Sequence, residues 1–264
     1  MNKYARLSLC LAGLVILALP TSADAVPFTW TGFYIGGNAG VGWGGESTSV
    51  DLEGFNYFVA NPAPGEVTKV GDDTAFIGGG QIGYNYAFSN LVAGIEADFS
   101  GFEFHAAKIP ASSKADWGSD TRVSVEGNWL ATVRGRLGVA MDRWLIYGTG
   151  GAAFTDGQYR NHDFCNRVPP CGGGLLDATG DMGVGWTAGG GAEFAWRPNW
   201  TFKAEYLFVQ FDGEDYSGTA HYPAPRDPVN YRFSASSADF NIVRVGLNYK
   251  FGGPTAPSSE APLK

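Results

Sequence analysis

The stretch Thr31-Gly32-Phe33-Tyr34-Ile35-Gly36-Gly37-Asn38-Ala39-Gly40-Val41-Gly42-Trp43 has two unlike faces. Extended, it puts Phe33, Ile35, Gly37, Ala39, Val41 and Trp43 on one side and Tyr34, Gly36, Asn38, Gly40 and Gly42 on the other. A period of two is the strand period. The first side carries no charge, and the same exclusion recurs along the chain.

Seven later segments repeat the pattern. Their apolar faces read Phe76 to Tyr86, Leu91 to Phe99, Trp129 to Val139, then Leu145, Tyr147, Thr149, Gly151 and Ala153, then Val184 to Phe194, Trp200 to Phe208, and Val243 to Phe251, in alternate residues. Across all eight segments, 44 face positions hold no Asp, Glu, Lys or Arg, although 17% of the chain is charged. Random placement would put roughly seven charges there. A lone charge near the midplane of a membrane barrel's exterior costs about 2 to 4 kcal/mol, so this is the pattern a bilayer imposes.

Short and long links alternate. Ala87 to Asn90, Met141 to Arg143 and Trp196 to Asn199 are tight turns, whereas 44–73, 105–125, 155–181 and 212–238 are expected to be long loops. Outer-membrane barrels have even strand numbers, short periplasmic turns and long external loops. Aromatics gather at both strand ends, with Phe33, Tyr84, Tyr86, Trp200, Tyr249 and Phe251 near the turns and Trp43, Phe76, Phe99, Trp129, Trp186 and Phe208 near the loops. They read as two interfacial girdles. The expected fold is all-β, an eight-stranded antiparallel up-and-down transmembrane β-barrel.

A soluble barrel with an apolar pocket would alternate equally well. The second face weighs against it: Gly79, Gln81, Gly83 and Asn85, then Gly94, Glu96 and Asp98, then Gly185, Gly189 and Gly191 are too rich in glycine for a solvated exterior. A narrow lumen requires small residues.

Lys3 and Arg6 precede an apolar run from Leu7 to Leu19, followed by Pro20 and Ala23-Asp24-Ala25. This reads as a signal peptide over 1–25, cut between Ala25 and Val26, and the run is too short for a spanning helix. Residues 26–251 form the barrel and 252–264, with Pro254, Pro257 and Pro262, a disordered periplasmic tail. Residues 26–264 hold 16 basic and 25 acidic residues, net −9. An exported chain of that sign does not seek nucleic acid.

Trp30-Thr31-Gly32-Phe33-Tyr34-Ile35-Gly36-Gly37-Asn38-Ala39-Gly40, Tyr147-Gly148-Thr149-Gly150-Gly151, Lys203-Ala204-Glu205-Tyr206-Leu207 and Val243 to Phe251 carry a resemblance. The chain resembles the small porin-like outer-membrane proteins of Gram-negative bacteria, including the outer-membrane immunogenic proteins, which are similar to the OmpA membrane domain. The resemblance implies a barrel inserted by the barrel-assembly machinery, with Tyr249 and the terminal aromatic Phe251 as assembly signal. It brings no catalytic residues and no cofactor. The family usually stops at the terminal aromatic, while here Gly252 to Lys264 follow.

On the expected lumen face stand Arg134, Arg136, Lys203, Arg244 and Lys250 against Glu96, Asp98, Glu193 and Glu205. An eight-stranded barrel is just wide enough inside for side chains to fill, and charges in a dry interior must pair or neutralise. Two readings stay open: a structural ion-pair plug, or a narrow or gated route for small solutes. His105, His162 and His221 fall in expected loops, without the spacing of a nucleophile and its base. The chain reads as non-enzymatic: a structural, surface-exposed monomer among outer-membrane lipid and lipopolysaccharide. The four loops together carry a net charge of −8, which suits divalent cations. Phe55, Tyr57, Phe58, Tyr216, Tyr222 and Tyr231 could form an adhesive surface or pack together above the membrane.

Cys165 and Cys171 flank Asn166-Arg167-Val168-Pro169-Pro170. A close pair in an exported chain reads as a disulfide, with His162 and Asp163 leaving a metal site as the alternative. Intact mass measured without reductant is expected to fall two hydrogens below that of the reduced protein; equal masses would mean free thiols or thiolate ligands.

Overall fold

The computed structural model describes residues 28–51, 67–108, 122–164, 175–221, 229–235 and 237–252. The expected leader with its Ala25–Val26 junction, Cys165, Cys171, and residues 253–264 lie outside them. Twelve strands occur among the described residues: β1 (Gly32–Asp51), β2 (Val67–Phe88), β3 (Leu91–Lys108), β4 (Arg122–Met141), β5 (Trp144–Thr155), β6 (Gln158–Phe164), β7 (Leu175–Asp181), β8 (Val184–Arg197), β9 (Trp200–Phe211), β10 (Asp215–Ala220), β11 (Val229–Ala235) and β12 (Ala238–Lys250).

Eight of them make a closed cylinder. Antiparallel ladders run β1–β2–β3–β4–β5–β8–β9–β12, and β12 returns to β1. Closure leaves no edge, the condition for exposing strands to hydrocarbon. Tilted by about 40° and rising about 3.3 Å per residue, twelve residues span about 30 Å, enough for the apolar band.

The other four strands raise a second storey. β6 pairs β4 and β7, and β11 pairs β1 and β10. Among the described residues the expected long loops are therefore largely strand: the first four crossings run on unbroken beyond their charge-free segments and the last four continue past short breaks, because the period-two pattern persists while the exclusion of charge does not. Asp156 bridges one break, where the β4–β5 ladder ends at Leu130–Thr155 and the β4–β6 ladder starts at Glu126–Gln158. Its carboxylate accepts from Asn128 N (2.8 Å), Asn128 Nδ2 (2.9 Å) and Trp129 N (3.1 Å) in place of the missing rungs. Slight burial alone would raise the pKa of this carboxyl, but those donors hold it below the ordinary aspartate value. Between β7 and β10 no ladder forms among the described residues. Side chains cross this seam from β6, one strand further on: Asn161 Nδ2 donates to Tyr216 Oη at 2.6 Å and Tyr159 stacks on Tyr216, which on its own side of the seam stacks on Phe233 of β11.

The exterior is as the alternation requires on seven crossings: Phe33, Ile35, Phe76, Ile82, Ile95, Phe99, Val133, Leu137, Trp186, Phe202, Val243 and Val245 are exposed. The fifth is corrected. Leu145, Tyr147 and Ala153 are buried inside, and Trp144, Ile146 and Phe154 face out. Both sides of this strand lack charge, so charge exclusion could not choose between them, and a one-residue difference in phase inverts a strand. Both girdles exist, with ring contacts Phe33–Tyr84 and Trp200–Tyr249 at one end and Phe99–Trp129 and Trp186–Phe208 at the other.

Glycine serves opposite purposes on the two faces. A Cβ on inward Gly40 would strike Val243 O and come within 2.7 Å of Arg244 Cα, whereas one on outward Gly135 would find nothing nearer than Gly150 O at 3.9 Å. Gly40→Ala is expected to lower stability by about 1 to 3 kcal/mol, the cost of overpacking. Gly135→Ala is expected to raise it by about 0.5 to 1 kcal/mol by relieving the glycine penalty. Urea unfolding in micelles checks both signs.

Candidate functional site

The lumen holds the chain's concentrated chemistry. Glu96 and Asp98 project from β3, Arg134 and Arg136 from β4, Glu193 from β8, Lys203 and Glu205 from β9, and Arg244 from β12; each is at most 5% exposed. Alternation aims them inward and the ladders set them level: Glu96 faces Arg134 across β3–β4, Glu193 faces Lys203 across β8–β9, and Glu205 faces Arg244 across β9–β12.

Glu96 is the hub. It meets Arg134 Nη2 at 2.5 Å, Lys203 Nζ at 2.8 Å and Arg136 Nη1 at 3.5 Å, and accepts from Tyr34 Oη at 2.7 Å. Asp98 accepts from both terminal guanidinium nitrogens of Arg244, Nη1 at 3.0 Å and Nη2 at 3.1 Å, together with Arg134 Nη2 (2.9 Å) and Thr132 Oγ1 (2.6 Å). Glu205 binds Arg244 Nη2 at 2.7 Å and Arg134 Nη1 at 3.1 Å, and accepts from Tyr147 Oη at 2.8 Å. Glu193 binds Arg136 Nη2 at 2.6 Å and accepts from Thr201 and Asn248. The Arg136 guanidinium also lies 4.1 Å from the centre of the Tyr147 ring.

Four cations thus meet four anions. Lys250, placed by the sequence among the lumen charges, stands apart: it lies at the periplasmic mouth, and its Nζ donates to the carbonyls of Thr31 (3.2 Å) and Gly252 (3.0 Å). Phe251 and Tyr249 end the last crossing on the exterior, their rings 5.3 Å apart, and Phe251 N donates to Phe33 O.

Apolar layers seal both sides of the charges. Toward the outside, Phe102, Phe104, Phe211, Phe233, Phe240, Tyr159, Tyr216 and their aliphatic neighbours form one buried cluster. Toward the periplasm, Trp30 enters the mouth against Val92, Leu145, Tyr147 and Ala195, with Phe28 edge-on to it at 4.8 Å. Tyr216 is buried in the upper cluster, so this aromatic packs above the membrane instead of presenting itself at the surface. Tyr34 and Trp30 could have been drawn from their inward or pre-strand positions, while Tyr147 was lost with the inverted fifth strand.

His105 and His162 lie in β3 and β6, and His221 just beyond β10. His105 Nδ1 is 3.5 Å from Glu126, which also binds Arg160 at 3.0 Å. Among the described residues no group of three or more His, Cys, Asp or Glu has the geometry of a metal site.

Beside this closed eight-stranded cylinder with its apolar exterior and charge-packed bore stands a family match: residues 9–251 match the model of the outer membrane protein beta-barrel domain. The chain belongs to this family. It is 34% identical over 236 residues to the 31 kDa outer-membrane immunogenic protein of Brucella melitensis biotype 1, covering 88% of each. It is 26% identical over 228 residues to the 22 kDa outer membrane protein of Rhizobium leguminosarum, covering 84% of this chain and 79% of the relative. Among solved structures, the outer membrane protein OprG of Pseudomonas aeruginosa superposes with a TM-score of 0.47 at 12% identity, over 86% of this chain and 100% of OprG. The chain is an outer-membrane β-barrel protein.

Removing one member of a buried charge network leaves its partners unpaired. Glu96→Gln is expected to cost about 3 to 5 kcal/mol, whereas Arg136→Met combined with Glu193→Leu should cost less than either change alone. A denaturant double-mutant cycle reads the coupling directly.

Proposed function

We propose that this family member is a non-enzymatic, structural and surface-exposed component of the outer membrane that does not conduct through its lumen. One observation carries the reading: the bore is filled at three successive levels, by the Trp30 layer, the eight-charge network and the upper aromatic layer. A solute would have to break several charge-assisted hydrogen bonds held away from water, each among the stronger contacts a protein makes. The same packing weighs against the alternative of a narrow or gated porin. That the Brucella relatives are named immunogenic proteins supports exposure at the cell surface. Lipid and lipopolysaccharide surround the wall, the barrel-assembly machinery inserts it, and the acidic loops favour divalent cations over nucleic acid; the protein acts as a monomer.

Planar-bilayer recording of the purified full chain tests the proposal. No conductance steps are expected over a wide voltage range, and reproducible unitary steps that Arg244→Ala enlarges would replace the structural reading with the channel reading.

A further inference from the structure

We infer that the outer wall binds one anionic phospholipid of the periplasmic leaflet at a site centred on Arg197. A groove of about 1010 Å³ lies on the exterior in the periplasmic half of the wall, with Ala192 and Ala204 on one side of Val245 and Leu247 and Gly37 and Ala39 on the other, flanked by Phe202 and Trp200. Its volume is on the scale of built ligand sites, roughly 300 to 1,000 Å³. The wall does not force the floor to be bare: a Cβ on Gly37 would meet nothing nearer than Gly79 O at 3.6 Å.

The foot of the groove is set by a β-bulge. The β8–β9 register runs regularly to Ala195–Thr201 and resumes at Arg197–Trp200, leaving Trp196 as the extra residue. Regular alternation would turn Arg197 to the buried side of Ala195. The bulge leaves Trp196 and Arg197 both exposed, and bulges commonly re-aim a side chain in this way. The Arg197 guanidinium lies 4.7 Å from the centre of the Trp196 ring, whose own centre is 5.5 Å from that of Phe202 on the groove's flank. Among the described residues no carboxylate pairs with Arg197.

An unpaired guanidinium at the level of the lower girdle, beneath an apolar trough that opens to hydrocarbon, matches a lipid part by part. The fork of Arg197 takes the phosphate, and an acyl chain lies along the small residues above it. Charge complementarity selects a net-anionic headgroup over a zwitterionic one.

Native mass spectrometry of the full chain, released from micelles holding equal phosphatidylglycerol and phosphatidylethanolamine, tests this. One bound phosphatidylglycerol is expected. Arg197→Gln, which removes a charge-assisted contact, and Ala204→Phe, which fills the trough, should each lower its occupancy about tenfold. Gly135→Phe, on the far wall, and Arg143→Gln, in the half-buried β4–β5 turn, should leave it unchanged. Faster gel mobility of unboiled protein confirms that each variant is folded. Absence of retained lipid, equal retention by Arg197→Gln, or an equal loss in Arg143→Gln would overturn the site. A dimer that Ala204→Phe abolishes would also overturn it, assigning the trough to a second copy of the chain.

Discussion

Eight charges share a space too narrow for bulk water, and the whole cylinder depends on their neutralising one another. Each ion would be costly to bury alone, so the carboxylates of β3, β8 and β9 must meet the cations of β4, β9 and β12 at one level. That requirement pins register. A slip of one residue in β4 would send Arg134 and Arg136 into lipid and bring Val133 and Leu137 into the bore, at a cost on both faces. The uncharged partners tighten the same knot and bring in the three crossings without a charge: Tyr34 of β1 and Tyr147 of β5 donate to its carboxylates, and Gln81 of β2 bonds Asn248 of β12 over Gly36 of β1.

Sterics and solvation divide the remaining work. Inside, glycine makes room where strands and long side chains crowd, and outside, apolar side chains satisfy the hydrocarbon. Above the outer girdle lipid no longer dictates the exterior, yet the interior still needs filling, and aromatic rings replace ions there. The change from charge to aromatic packing along one lumen follows the shift from a membrane-bound wall, where the sheet is closed by ladders, to an upper storey held in part by side chains alone.

The membrane storey was legible because lipid is an unforgiving selector: Phe33, Ile35, Phe99, Val133 and Leu137 occupy positions where a charge could not stand. All eight members of the lumen network were legible for the complementary reason, since an ionic residue on a strand whose other face is greasy has only the interior left. Lys250 shares that parity but sits at the mouth, where backbone carbonyls and not carboxylates surround it. Tyr147 was missed because β5 carries no ion on either face to reveal its phase. The upper storey was missed because Asp156 and the breaks near residues 182–183 and 212–214 look like loop in one dimension, whereas in the fold they are joints in continuing crossings.

The seam between β7 and β10 gives this tube a zip that stops partway. Below Gly185 and Phe211 the two neighbouring crossings are stitched backbone to backbone; above that point no ladder joins them among the described residues, and Tyr216 of β10 reaches past β7 to Asn161 and Tyr159 of β6. Pulled or heated, such a cylinder is expected to open first from its rim along that line, with the opening halted where the stitching begins. Damage to the part that faces the outside world is thereby kept from the part that must stay sealed.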